Sequence, residues 1–209
     1  MYGYVDIAQM LIECGADVSA QNQVGWTALH FATRYGYDVG LAWMLVECGA
    51  DVSAWTKRGS TALHLALENG HVDLAWMLIE RSADVSAQRN DRWTVLHLAS
   101  HNGHVDLTQT FVERGADVSA KNKYGWTALH FALEKGHKDL AQILLGRGAN
   151  TLAQTEDRWT ALHLASYYDH VDLAWMIVER GANVSVERKD RLCSIWHATT
   201  AMWISHIYL

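Results

Sequence analysis

The chain predicts an all-α solenoid of antiparallel helix pairs joined by hairpin-like loops, and three recurring phrases carry that prediction. The first is a hexapeptide: TALHFA at 27–32 and 127–132, TALHLA at 61–66 and 160–165, TVLHLA at 94–99, its threonine advancing once by 34 and then three times by 33 residues. The second is GADVSA at 15–20, 49–54 and 115–120, varied to SADVSA at 82–87, GANTLA at 148–153 and GANVSV at 181–186. The third is VDLAWMLIE at 72–80, returning as VDLTQTFVE at 105–113 and VDLAWMIVE at 171–179. A unit this short buries its apolar face only against its neighbours, so the units must stack.

Within one unit the elements follow in order. Thr94 caps a short helix, its side-chain oxygen accepting an N–H of the first turn. Leu96, Leu98 and Ala99 form the buried face of that helix. The turn HNGH at 101–104 breaks it with a glycine. Val105, Leu107, Phe111 and Val112 have the spacing of a second helix. Gly115 ends that helix at a left-handed position, where glycine costs least. The polar stretch ADVSAKNKYG at 116–125 then leads through a hairpin-like loop to the next threonine.

Along the chain this pattern divides into a half unit at 1–22, full units at 23–56, 57–89, 90–122, 123–155 and 156–188, and a degenerate remnant at 189–209. The half unit opens at a second helix, so Ile7, Met10 and Leu11 lack the first helix that would cover them. Asp38, Val39 and Gly40 hold the insertion behind the single 34-residue step, read as a bulged helix start. Ser82 stands where the other units end their second helix with glycine, at a cost of about 1 kcal/mol if it is held left-handed. The segment DRLCSIWHATTAMWISHIYL at 190–209 loses the motif after Arg191. Two expectations follow: a piece of a larger parent chain, or a tail that folds back as an improvised cap.

Helix, turn, helix and hairpin at a period of 33, opened by T-x-L-H-x-A, resembles the ankyrin repeat, and the resemblance covers nearly the whole chain. The family motif has proline after the threonine, whereas this chain has no proline and places Ala28, Ala62, Val95, Ala128 and Ala161 there. Alanine at that helical position is an excellent helix former, so little is lost. The resemblance implies that His30, His64, His97, His130 and His163 hydrogen-bond locally and tie neighbouring units together. It also implies a curved stack whose hairpin tips and first-helix ends line a concave groove that contacts partners.

Composition excludes several classes of function. Half of the 209 residues are apolar and 19% are charged, as in a globular protein, and 23 acidic against 17 basic residues leave a net charge of −6. No Lys/Arg run reaches the density of a nucleic-acid or anionic-membrane footprint. No cationic leader precedes an apolar core at the start, and no stretch approaches the ~20 apolar residues of a membrane span. The expectation is a soluble intracellular protein, cytoplasmic or nuclear, without nucleic-acid or membrane partners. Three cysteines make no disulfide scaffold, and Cys14 and Cys48, one unit apart, are expected as free thiols.

No catalytic, cofactor or metal site is expected. His71, His104, His137 and His170 recur just after the inter-helix turn and read as structural. His101 alone among the central histidines is aperiodic, but its neighbours His97 and His104 already have structural positions, so three convergent zinc ligands are not available. There is no HExxH, paired CxxC, GxSxG, GxxxxGK[ST] or GxGxxG.

Residues that vary in register are the candidates for partner binding. On the hairpins these are Trp55, Lys57, Arg58, Asp91, Trp93, Tyr124, Trp126 and Trp159; at the first-helix ends they are Tyr35, His101, Tyr167 and Tyr168. The ladder Trp26, Trp93, Trp126 and Trp159, interrupted by Ser60, admits two readings: binding anchors with a large rigid face, or hairpin packing. On the outer side Trp43 and Trp76 form either one exposed apolar patch, hence a second surface, or rings lying flat along a neighbouring helix. The leading functional expectation is a protein–protein interaction module that uses the groove. The alternatives are a small-molecule binder or enzyme using the groove aromatics, with His101 or Asp91 in proton transfer, and a structural spacer of a longer array.

Overall fold

The computed structural model describes residues 3–36 and 39–181. Among them lie eleven helices and no extended strand: α1 Gly3–Glu13, α2 Ala28–Tyr35, α3 Val39–Glu47, α4 Ala62–Glu68, α5 Val72–Glu80, α6 Val95–Asn102, α7 Val105–Glu113, α8 Ala128–Lys135, α9 Lys138–Gly146, α10 Ala161–Tyr167 and α11 Val171–Glu179. Each unit contributes one short first helix (α2, α4, α6, α8, α10) and one second helix. The first helices pack in a row, α2 on α4 through to α8 on α10, and each also packs on the second helix that follows it. The insertion at 38–40 and the irregular tail fall wholly or partly outside the described residues.

Every first helix starts with the same hydrogen-bonded box. Thr27, Thr61, Thr94, Thr127 and Thr160 are extended, and each side chain accepts the backbone N–H of the histidine three residues on. The histidine answers in kind: Nδ1 accepts the threonine N–H, at 3.2 Å for His30, 3.3 Å for His64, 3.0 Å for His97, 3.1 Å for His130 and 3.2 Å for His163. A glutamate or glutamine usually fills this place in a capping box. Because an amide N–H can only donate, Nδ1 must be unprotonated, and each ring is the neutral Nε2–H tautomer.

The free Nε2–H then reaches into the next unit. His30 donates to the Ser60 carbonyl at 3.3 Å, His64 to that of Trp93 at 3.3 Å, and His97 to those of Ala120 and Trp126 at 3.1 and 3.0 Å. His130 Nε2 is buried and faces the Ala153 and Trp159 carbonyls without reaching hydrogen-bonding geometry. The repeated histidine is therefore both a cap and a joint. The second set, His71, His104, His137 and His170, sits at the start of the second helices. His71 Nε2 donates to the Arg34 carbonyl at 3.2 Å and His137 Nε2 to that of His101 at 3.3 Å, again one unit back.

A single core runs through the stack from Leu29 to Ile177. First helices supply Leu63, Leu67, Leu96, Leu129 and Leu133; second helices supply Leu74, Leu78, Leu107, Phe111, Leu140 and Leu144. Each such side chain contributes about 1.5–3 kcal/mol by leaving water. Leu74, Leu107 and Leu140 are at most 1% exposed, while Ile7, at the matching place in α1, is 57% exposed. The difference is the first helix, present over α5, α7 and α9 and missing over α1. Ser82 is left-handed, with φ at +64°.

Candidate functional site

The site is built on the hairpins between the second helix of one unit and the first helix of the next. Each tip is a tight turn closed by two backbone bonds; in one, Arg92 N–H donates to Arg89 at 2.8 Å and Arg89 N–H to Trp93 at 2.8 Å. The residue that turns the chain needs a positive φ. Gly25, Gly59 and Gly125 occupy it at +79°, +75° and +77°, but in the other two hairpins it is Arg92 at +64° and Arg158 at +63°. Neighbouring tips are bonded in a row: Lys57 N–H donates to the Val24 carbonyl at 3.0 Å, Asn90 to Arg58 at 3.2 Å, Lys123 to Asp91 at 2.9 Å and Glu156 to Tyr124 at 2.9 Å. The tips therefore form a ridge of fixed register rather than five independent loops.

Below the ridge, the aromatic rings divide into a packed centre and two open ends. At the centre Phe131 lies between Trp93 and Trp126, with ring centroids 4.7 and 4.9 Å away, and His101 meets it edge-on at 5.8 Å. Phe131 is 7% exposed, and Trp93, Trp126 and His101 are only half-exposed or less. Here the tryptophans of the ladder pack, although each leaves an edge on the surface. At the α2 end, Phe31 is exposed beside Trp26, which Arg34 covers at 5.9 Å, and Tyr35 is exposed as well. At the α10 end, Tyr167 is 69% and Tyr168 40% exposed, with Tyr167 edge-on to both Tyr168 and Trp159. Burial, and next the Glu134 carboxylate, push the Tyr168 hydroxyl above its ordinary pKa.

The polar candidates also separate by what holds them. Lys57, Arg58 and Trp55 are exposed on the ridge. Tyr124 is exposed, and the Lys123 ammonium lies over its ring at 4.7 Å. A hydrogen bond to Tyr124 and the charge beside it raise the Lys123 pKa. Asp91 is half-buried: its carboxylate accepts the Trp93 N–H at 3.3 Å and pairs with Arg89 at 3.4 Å. Asn102 donates back to the Leu67 carbonyl at 2.6 Å, making it part of the joint between units. His101 Nδ1 lies 3.0 Å from the Asn102 side-chain oxygen.

Two features of this ridge were not singled out from the sequence, Arg89 and Arg92. A signal was present: the glycine register 25, 59, 125 carries arginine at 92 and 158. On the outer side, Trp43 is 49% exposed with the Arg81 guanidinium over its ring at 5.8 Å, and Arg81 also pairs with Glu47. Trp76 is half-buried, packed against the core. Cys14 and Cys48 are free and exposed. Among the described residues no three His, Cys, Asp or Glu side chains are grouped to hold a metal ion, and no helix is long and apolar enough to cross a membrane.

Comparison with known proteins adds the family. A family profile described as ankyrin repeats (3 copies) matches residues 1–89 and 96–188. A second, described as ankyrin repeats (many copies), matches residues 71–112. A search of the curated proteins finds no match.

Proposed function

Since the chain belongs to the ankyrin repeat family, whose members generally serve as protein-interaction modules, we propose that it binds a partner protein through the concave groove without catalysis of its own. The observation that carries this reading is the exposure of rings at both ends of the groove face: Tyr35 at 51%, Tyr167 at 69% and Tyr168 at 40%. Tyr167 and Tyr168 also touch each other, yet all three rings keep a large part of their surface in solvent, and tyrosine is among the residues enriched at binding hot spots. Trp55, Lys57, Arg58 and Tyr124 on the ridge, with the surface edges of Trp93, Trp126, Trp159, Asp91 and His101, complete the proposed contact surface. The unit boundaries read from the sequence are its proposed division.

The test compares capture from a lysate of the source cell by the wild type, by a Tyr35→Ala/Tyr167→Ala/Trp55→Ala variant and by an outer-face Trp43→Gln variant. Helical circular dichroism must be native in all three. A protein retained by the wild type and the Trp43 variant but lost with the groove variant is the expected result. Equal capture by all three contradicts the proposal.

A further inference from the structure

The ridge is basic in an acidic chain. The protein carries a net charge of −6, yet the tips before α4, α6 and α8 present Lys57, Arg58, Arg92 and Lys123, all exposed. Among the described residues no carboxylate lies within ion-pair distance of Lys57, Arg58 or Arg92. Of the acids nearby, Asp91 and Glu68 pair with Arg89 at 3.4 and 3.6 Å, while Asp91 and Glu156 also lie close enough to act on Lys123 at the end of the row. The row ends on both sides. The tip before α2 is the neutral Gln23-Val24-Gly25, and in the tip before α10 Glu156 and Asp157 offset Arg158.

Arg92 shows how the row is held. It occupies a left-handed position that Gly25, Gly59 and Gly125 fill without strain and that only Arg158, beside Glu156 and Asp157, shares among the described hairpins. A non-glycine held there needs a compensating reason, and strained backbone of this kind clusters at binding sites. Its backbone is fixed by Arg89 and by Gln88, whose side-chain amide donates to the Arg92 carbonyl at 3.3 Å. The exposed guanidinium is thus displayed from a rigid base, midway between Lys57 with Arg58 on one side and Lys123 on the other. Two inter-unit steps of about 10 Å separate the outer cations. That span, about 20 Å, matches roughly six residues of extended chain.

We propose that the ridge from Lys57 to Lys123 docks an extended acidic segment, rich in Asp or Glu, of the partner protein. The proposal rests on the groove reading and names the chemistry of what binds there. Because charges are screened over about 8 Å at physiological ionic strength, this local row outweighs the distant net negative charge for a short acidic segment. A long polyanion such as a nucleic acid would extend past the row onto acidic surface.

The probes are a labelled octapeptide with six acidic residues, its Gln/Asn counterpart, and an eight-nucleotide single-stranded DNA, titrated by fluorescence anisotropy against the full chain. The acidic peptide should bind more tightly than the amide peptide and the DNA, and more weakly as salt rises. Arg92→Gly should weaken that binding about threefold, and Lys57→Gln/Arg58→Gln about tenfold. Arg92→Gly should also melt no lower than the wild type, since it relieves the backbone, which separates lost contact from lost fold. Arg92→Lys, which keeps the charge and the strain, should bind like the wild type. Equal binding of the acidic and amide peptides, tighter binding of the DNA, or an unchanged affinity in Arg92→Gly overturns the proposal. If groove-dependent capture survives such a failure, only the acidic specificity falls. If the peptide binds as expected while no captured protein depends on the groove, the groove reading falls instead.

Discussion

The octapeptide GWTALHFA occurs at 25–32 and again at 125–132, and the two copies differ in nothing but their surroundings. Their local structure is the same. Thr27 and Thr127 have φ of −96° and −106°, both close a capping box with the histidine, and Gly36 and Gly136 end the two helices left-handed. Their burial is not the same. Phe31 is 42% exposed, whereas Phe131 is 7% exposed. Phe131 packs against both Trp93, from the hairpin one unit back, and Trp126, whereas the ring beside Phe31 is Trp26 at 5.0 Å. Conformation here is written in eight residues, while burial, and therefore energy, is written by the unit next door.

The largest expected effect concerns the histidines of these motifs. Burial lowers the pKa of His64, His97 and His130 to about 4 and lowers that of His30 as well. Arg89 reinforces this at His64, while backbone carbonyls, and charges such as Asp91 and Asp117, oppose it at His97. An unfolded histidine titrates near 6.5. Above that pH both states are neutral and stability is full; below it the unfolded chain takes up protons that the fold refuses. Stability should therefore fall as pH drops from about 6.5 to about 4, by up to about 1.4 kcal/mol per pH unit for each of the three rings. Urea unfolding at a series of pH values measures the slope. His130→Gln keeps an acceptor for the cap without a titrating ring, so it should flatten the slope by at most about one third. A slope unchanged in that variant assigns the acid sensitivity to other groups.

The phenylalanines come next. Phe131→Ala opens a cavity between two indole rings and should cost about 3 kcal/mol or more. Phe31→Ala, touching Trp26 and solvent, should cost about 1 kcal/mol. Equal losses by chemical denaturation would break the comparison. The threonines sharpen it from the other side, because a cap is local. Thr27→Ala and Thr127→Ala should each cost about 1 kcal/mol, and by nearly the same amount.

What the sequence made legible follows the same division. The helix pairs, the threonine caps and the left-handed Ser82 were readable because each depends on residues within a few positions. The role of the motif histidine as a joint came from the family resemblance; its tautomer and its carbonyl partners needed the stack. For the candidate site, Tyr35, Tyr167 and Tyr168 were singled out by their departure from register, and the structure leaves them exposed. The tryptophan ladder could not be resolved in advance, because whether Trp93 packs or waits for a partner depends on Phe131 in the following unit. Arg92 was missed for a different reason. Its peculiarity is a backbone angle, and only the glycines one unit away reveal it.

The smallest expected effect tests whether a position, rather than its neighbours, can set an energy by itself. Ser82 has φ of +64°, at the place where Gly15, Gly49 and Gly115 have +91°, +92° and +91°. A Cβ added at any of those three glycines would meet nothing within 4 Å. Crowding is therefore absent, and the only difference between serine and glycine here is the intrinsic strain of a left-handed residue. Ser82→Gly should stabilise the chain by about 0.5–1 kcal/mol, and Gly49→Ser should destabilise it by a similar amount. The two changes are made in adjacent units with the same open surroundings, so their sum should lie near zero in the double variant. A Ser82→Gly gain without a Gly49→Ser loss would mean that the end of α5 carries a strain of its own, and that even this most local of positions answers to its neighbours.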